Sequence, residues 1–217
     1  LFAGFGVHLL LWILYSVMNR ADGNLIKVHR DVFGKWAGGV ISFVFIVYFF
    51  LESVLVLRSY AEIVQVWMFS QLGTWFISLL LLFLAYYAIS GGFRVVVGVC
   101  FFGFLIPFIG VSWVFFWVLP YTNFQSFLPI WSHPLGDILF GAKQMMLSYL
   151  GFESLLIAYP FIQKPRSSQK WAHVSNLFTI VVYLFIAVVT FAYFSEERLK
   201  DTLWPTLSMV NIVELPF

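Results

Sequence analysis

Residues 141–161 read GAKQMMLSYLGFESLLIAYPF, a stretch long enough to cross a lipid bilayer as a helix, for which about 20 residues at 1.5 Å per residue suffice. The stretch nevertheless contains Lys143, Gly151, Glu153 and Pro160. An ionised carboxylate near the centre of a span costs on the order of 2.5 kcal/mol or more, so such a residue usually faces a protein interior or a watery cavity. Glu153 is therefore the first candidate for a functional residue.

Two conformations of this stretch are compatible with its residues. The first is a helix that is broken at Gly151, where Ser148 and Ser154 can hydrogen-bond the freed backbone groups. Unwound backbone at membrane depth is tolerated where it lines a cavity. The other is a continuous helix in which Glu153 is protonated or paired with a neighbouring side chain. The sequence alone leaves both open.

The composition of the whole chain is that of a polytopic membrane protein. Its 217 residues are 62% hydrophobic and 10% charged, against roughly 25% charged residues in soluble domains. We expect an all-α transmembrane fold in one membrane domain, residues 1–217, with a helix in each apolar run. The six predicted spans are residues 1–18, 37–57, 74–92, 95–119, 141–161 and 174–194.

The net charge of +2, carried by scattered Lys and Arg, excludes a nucleic-acid partner. The distribution of Lys and Arg predicts a topology, because they are concentrated in residues 19–35 and 163–173, which is typical of cytoplasmic loops. Residues 121–134, which contain no Lys or Arg, are expected outside. The first and last residues are then both outside. The chain starts within an apolar run that lacks the pattern of a signal peptide, and we expect it to be a fragment.

Other polar residues are weaker candidates. Glu52 and Glu62 are possible buried proton or packing sites, and Arg58, four residues before Glu62, could pair with it. The histidines have none of the close spacings of a metal site, and the single Cys100 supports neither a disulfide nor a cysteine metal site. No nucleotide-binding or hydrolase motif is present in the sequence. We therefore expect no metal, no cofactor and no enzymatic activity.

Eight short motifs, in order along the chain, resemble those of the spore germination permeases, in particular the B subunit of nutrient germinant receptors. Each motif is weak alone, but together they cover the whole chain. They are GKWAG (34–38), LRSYAEIVQ (57–65), YYAISGG (86–92), FLPIW (127–131), ILFG (138–141), LGFESLLIAYPF (150–161), WPTL (204–207) and IVELPF (212–217).

This resemblance implies a fold similar to that of amino acid–polyamine–organocation transporters: ten helices in two inverted five-helix repeats (LeuT-like), with a ligand site at the interrupted first and sixth helices. The six spans would be the second to seventh helices, so the fragment would lack the first helix and the C-terminal helices. By the resemblance, Gly151, Phe152 and Glu153 would bind ligand, and Glu62 would be the third-helix carboxylate. The acidic residue and arginine usual after the fourth helix are replaced by Phe93 and Val97.

The function that the resemblance implies is a membrane subunit of a spore germinant receptor. It would bind a nutrient, an amino acid or a similar molecule, and pass the signal to the other subunits of a hetero-oligomer in the spore inner membrane or the cell membrane. One alternative is a secondary transporter that couples an amino acid to H⁺ or Na⁺, with Glu153 or Glu52 as the proton site. Another is a structural subunit whose buried carboxylates only fix packing.

Overall fold

The computed structural model describes residues 1–20, 25–128, 134–194 and 196–210, and within these ranges the regular structure is helical. His133, the IVELPF motif and the last part of FLPIW lie outside the described residues. The chain divides into two compact units, Leu1–Arg20 with Leu105–Phe217, and Ala21–Phe104. We call them the outer-chain unit and the inner-chain unit, after their positions in the sequence.

The outer-chain unit is built around an antiparallel pair of helices, α1 (Phe2–Met18) and α7 (Pro165–Tyr193). Its core contains Ala3, Val7 and Leu11 of α1 packed against Tyr149 and Ile180. A methyl group at Gly4 would collide with the Ile180 side chain, so glycine permits the close approach of the two helices. The helices of this unit are α1 (Phe2–Met18), α5 (Leu135–Met146), α6 (Leu155–Ala158), α7 (Pro165–Tyr193), α8 (Glu196–Asp201) and α9 (Pro205–Val210), together with the end of α4 (Phe93–Val118).

A second apolar cluster joins the end of α4 to α7 and α9 in the same unit. Phe115 and Val118 of α4 contact Val189 of α7 and Met209 of α9, and all four are buried. Phe115 also meets the ring of Phe185 edge to face, with centroids 5.5 Å apart. These contacts fix the part of α7 that lies farthest from Pro165.

The inner-chain unit consists of α2 (Leu25–Trp67), α3 (Thr74–Ser90) and the beginning of α4. Within α2 the chain turns sharply at Gly34, where φ is 80°, a backbone conformation that glycine adopts without a Cβ clash. The segment before Gly34 folds back, so that His29 Nδ1 lies 3.0 Å from Ser42 Oγ. The α3 helix ends at Ser90, and Gly92 follows with φ 84°, as expected from the Ser-Gly-Gly stop signal.

Long apolar helices with exposed side chains confirm the transmembrane class. Among the described residues, Leu25–Trp67, Phe93–Tyr121 and Pro165–Tyr193 are long and apolar enough to cross a membrane. The helices α1 and α3 have 17 residues each, near the lower limit for a span. Large apolar side chains are exposed along α2, α3 and α4, which suits contact with lipid rather than water. The expected inverted repeat stays a prediction.

The predicted limits of three spans were wrong. The fifth, predicted to begin at residue 141, begins as α5 at Leu135. The second, predicted for residues 37–57, is part of a helix that continues to Trp67, and residues 25–33 of the predicted loop are helical. The sixth, predicted for 174–194, begins at Pro165 instead, because proline is favoured in the first helical turn, where its missing N–H costs nothing. Hydropathy shows where the apolar part of a helix ends, whereas these helices continue through the polar residues that flank the apolar part.

Candidate functional site

The helix at residues 141–161 is broken, which settles the choice between the two conformations that the sequence left open. The α5 helix ends at Met146, and short 3-10 turns precede and follow Gly151 before the single turn of α6. Gly151 has φ 111° and ψ −20°, in the left-handed region where a Cβ is strained. The interruption therefore depends on a residue without a side chain at this position.

Both backbone groups of Gly151 are satisfied within the break. Its N–H donates to Glu153 Oε2 at 2.9 Å, and its carbonyl accepts from Ser154 Oγ at 2.5 Å. Glu153 is 8% exposed. The carboxylate is thus buried where it satisfies a donor that unwinding releases, as backbone in a bilayer requires.

A cavity of about 450 Å³ lies between α1, the broken segment and α7, within the 300–1,000 Å³ range of small-molecule sites. Its walls are apolar on the α1 side, where Val7 and Leu11 lie, and include Gly151 and Phe152 of the break. Glu153, the third predicted ligand residue, is not among the lining residues, because its side chain turns back onto Gly151.

The α7 helix supplies the polar wall of the cavity. Asn176 is 7% exposed and donates through Nδ2 to the carbonyl of Gly4, 3.0 Å away. Tyr183 donates its hydroxyl proton to the carbonyl of Ser148 at 2.7 Å, and its ring meets Tyr149 edge to face with centroids 5.2 Å apart. The broken segment is therefore tied to α7, and α7 is tied to α1.

The end of the broken segment is also held by hydrogen bonds. Tyr159 donates to Asn19 Oδ1 at 2.6 Å, just beyond the end of α1. Tyr15 and Ser168 share a hydroxyl hydrogen bond of 2.8 Å between α1 and α7. The end of the broken segment at Tyr159 is thus bonded to the residue that follows α1. The break at Gly151 is instead stabilised by the neighbouring side chains of Glu153 and Ser154.

The other two candidate carboxylates are not part of the cavity. Glu52 and Glu62 lie in α2 of the inner-chain unit and are half-buried. The predicted ion pair between Arg58 and Glu62 is not formed in the described part of the chain, where Arg58 Nη1 lies 3.3 Å from Thr74 Oγ1 instead. Thr74 opens α3, so a tertiary contact prevails over the local i, i+4 pair.

Two features of the site were missed by sequence reasoning. His8 of α1 and His173 of α7 bring their Nδ1 atoms within 2.9 Å, with nearly parallel rings, although 165 positions separate them. The polar residues of α7, Ser175, Thr179 and Tyr183, recur every four positions and share one helical face, a signal that could have been found. Among the described residues, no cluster of three or more potential metal ligands exists.

Comparison with known proteins places all of this chain in one family. The profile of the family described as spore germination protein matches residues 1–217. The chain is 43% identical over 214 residues to spore germination protein GerQB of Bacillus cereus, covering 99% of this chain and 59% of that protein.

More distant similarity extends to two proteins of Bacillus subtilis strain 168. Spore germination protein YndE is 25% identical to this chain, over 86% of this chain and 52% of the length of YndE. Spore germination protein A2 is 22% identical, over 88% of this chain and 53% of the length of A2. The chain thus spans slightly more than half the length of the curated relatives that it matches. No solved structure matches.

Proposed function

The chain belongs to the spore germination protein family, and from this membership we propose that it forms part of the nutrient-binding membrane subunit of a spore germinant receptor. It is an integral membrane protein whose nutrient, an amino acid or a similar small molecule, binds in the cavity beside Gly151. Binding is passed to the other subunits of a hetero-oligomer, in the spore inner membrane or the cell membrane. The role requires no catalytic step and no cofactor.

The observation that carries this proposal is an unwound segment that lines a cavity inside an apolar bundle. The break at Gly151 opens onto about 450 Å³ of space, and irregular backbone at membrane depth is tolerated where it is buried in protein or lines such a cavity. In transporters with broken helices, the interruption is where the substrate binds. A purely structural subunit has no need of this cavity.

Glu153 provides the first test. Glu153→Gln keeps the shape of the side chain but removes its charge and weakens the bond from the Gly151 N–H, because bonds to charged acceptors are the stronger ones. We expect near-normal amounts of the protein in the membrane, and a shift of tenfold or more in the nutrient concentration that triggers germination, about 1.4 kcal/mol.

The matched control is Asp137→Asn, the same chemical change at an exposed residue of α5, which should leave the dose response within twofold of the wild type. Loss of the Glu153→Gln protein from the membrane would favour the structural alternative. An unchanged dose response at normal protein level contradicts the role of Glu153.

A buried carboxylate in a span also supports a second candidate, a transporter coupled to H⁺ or Na⁺. Uptake of labelled nutrient into proteoliposomes distinguishes the two functions. A receptor subunit responds to its nutrient without net accumulation. Accumulation driven by an ion gradient and lost in Glu153→Gln identifies the transporter.

A further inference from the structure

The hydroxyl groups of Ser175, Thr179 and Tyr183 form a ladder along one face of α7, and all three residues line the cavity. Four residues advance an α-helix by about 6 Å, so the ladder extends over about 12 Å. This length suits a molecule of the size of an amino acid, a sugar or a nucleoside. Hereafter these three residues are called the α7 ladder.

Two of the three hydroxyl protons are already used within the protein. Thr179 Oγ1 donates to the backbone carbonyl of Ser175 at 3.0 Å, and the Tyr183 hydroxyl donates to the carbonyl of Ser148 at 2.7 Å. A hydroxyl group has one proton to donate, and its oxygen can also accept. Towards the cavity, Thr179 and Tyr183 therefore offer acceptor oxygens, and a bound molecule must supply the donors.

The other residues that line the cavity offer no positively charged side chain to a bound anion. Among the described residues, no Lys, Arg, Asp or Glu side chain lines the cavity. A carboxylate pressed against the Thr179 and Tyr183 oxygens would be desolvated without compensation, which is costly. An ammonium, hydroxyl or N–H group in the same place would be hydrogen-bonded.

We propose that Thr179 and Tyr183 of the α7 ladder select the nutrient, by accepting hydrogen bonds from its donor groups. These donors are the ammonium of an amino acid or the hydroxyl and N–H groups of an uncharged polar nutrient. The anionic end of an amino acid would point away from Thr179 and Tyr183. This inference rests on the proposed function, and it assigns specificity to α7 as well as to the segment at Gly151.

The test compares two threonines of the same helix. Thr179→Val removes the acceptor and keeps the side-chain shape, whereas Thr190→Val makes the same change at a buried hydroxyl that has no hydrogen-bond partner and does not line the cavity. Spores carrying the complete receptor are exposed separately to L-alanine, D-glucose and inosine. The half-maximal germination concentration is measured for each, with the amount of receptor in the membrane.

We expect Thr179→Val to raise that concentration for the active nutrient by about three- to tenfold if the donor is neutral, and by more if it is an ammonium. Thr190→Val should stay within twofold of the wild type. Thr179→Ser, which keeps the acceptor, should restore the response and so separates a lost hydrogen bond from a lost fold. Activity of L-alanine identifies an ammonium donor, and activity of D-glucose or inosine identifies neutral donors.

The results separate this inference from the function on which it rests. A nutrient response that depends on Glu153 but is the same in Thr179→Val and in the wild type overturns the α7 ladder and leaves the proposed function standing. Equal losses in Thr179→Val and Thr179→Ser also overturn it, because the acceptor is then not what matters.

Discussion

Gly151 is the residue on which the candidate site depends most. Its φ of 111° ends the helical geometry at the point where Glu153 can turn back to accept its N–H. Residues that carry a Cβ rarely adopt this backbone conformation. A single backbone angle therefore places a buried carboxylate, a released peptide group and a cavity next to one another.

We predict that Gly151→Ala destabilises the protein by about 1–3 kcal/mol, the cost of holding a residue with a Cβ in a sparsely populated backbone region. The measurement is the thermal unfolding midpoint in detergent or nanodiscs. Gly141→Ala is the control, since Gly141 lies inside α5 with open space around its Cβ position. That change should be neutral or stabilising, by up to about 1 kcal/mol. Equal effects at the two glycines would contradict the strained geometry assigned to Gly151.

The paired helices α1 and α7 form the frame of the site. The close approach at Gly4, the imidazole contact between His8 and His173 and the hydroxyl contact between Tyr15 and Ser168 lie along one interface. In the imidazole contact, the Nδ1–H of one histidine donates a hydrogen bond to the unprotonated Nδ1 of the other. These polar contacts fix the register of the two helices in a way that apolar packing alone does not.

Removing one imidazole should therefore leave the other without its partner. We predict a coupling of about 0.5–1.5 kcal/mol between His8→Phe and His173→Phe, measured as the non-additive part of their unfolding free energies. The effect of His29→Phe, whose ring nitrogen contacts Ser42 instead, should simply add to that of His8→Phe. Strict additivity of the His8 and His173 variants would show that the contact contributes nothing to stability.

At the element scale, the sequence was informative about which segments are helical and less so about where they end. Apolar runs predicted α3 and α4 closely, because a stop signal at Gly91 and Gly92 separates them. The limits of α2 and α7 and the start of α5 were wrong, since hydropathy does not detect helical turns beyond the bilayer. The break at Gly151 was one of two alternatives, and the structure decides between them through the left-handed backbone of Gly151, its bond to Glu153 and the tertiary contact of Tyr183.

At the scale of the whole molecule, the composition predicted a membrane protein, and its family membership agrees. The cavity could not be predicted in the same way, because its walls come from segments about 140 positions apart, such as Val7 and Ser148. Only packing brings them together. Gly151 and Phe152, which the resemblance implied as ligand residues, line the cavity, and their role in binding stays a prediction. The contribution of α7 was not predicted.

The central claim is that nutrient binds in this cavity, and protection of a cysteine in its wall tests that claim directly. In a Cys100→Ser background, Ser175→Cys places a thiol on the cavity wall, and Ser167→Cys places one on the exposed surface of α7 outside it. The rate at which each thiol reacts with a small alkylating reagent is measured in the complete receptor subunit, with and without saturating nutrient. We predict that nutrient slows the reaction at Ser175→Cys by tenfold or more and leaves the rate at Ser167→Cys unchanged. Equal rates at Ser175→Cys with and without nutrient would contradict the account.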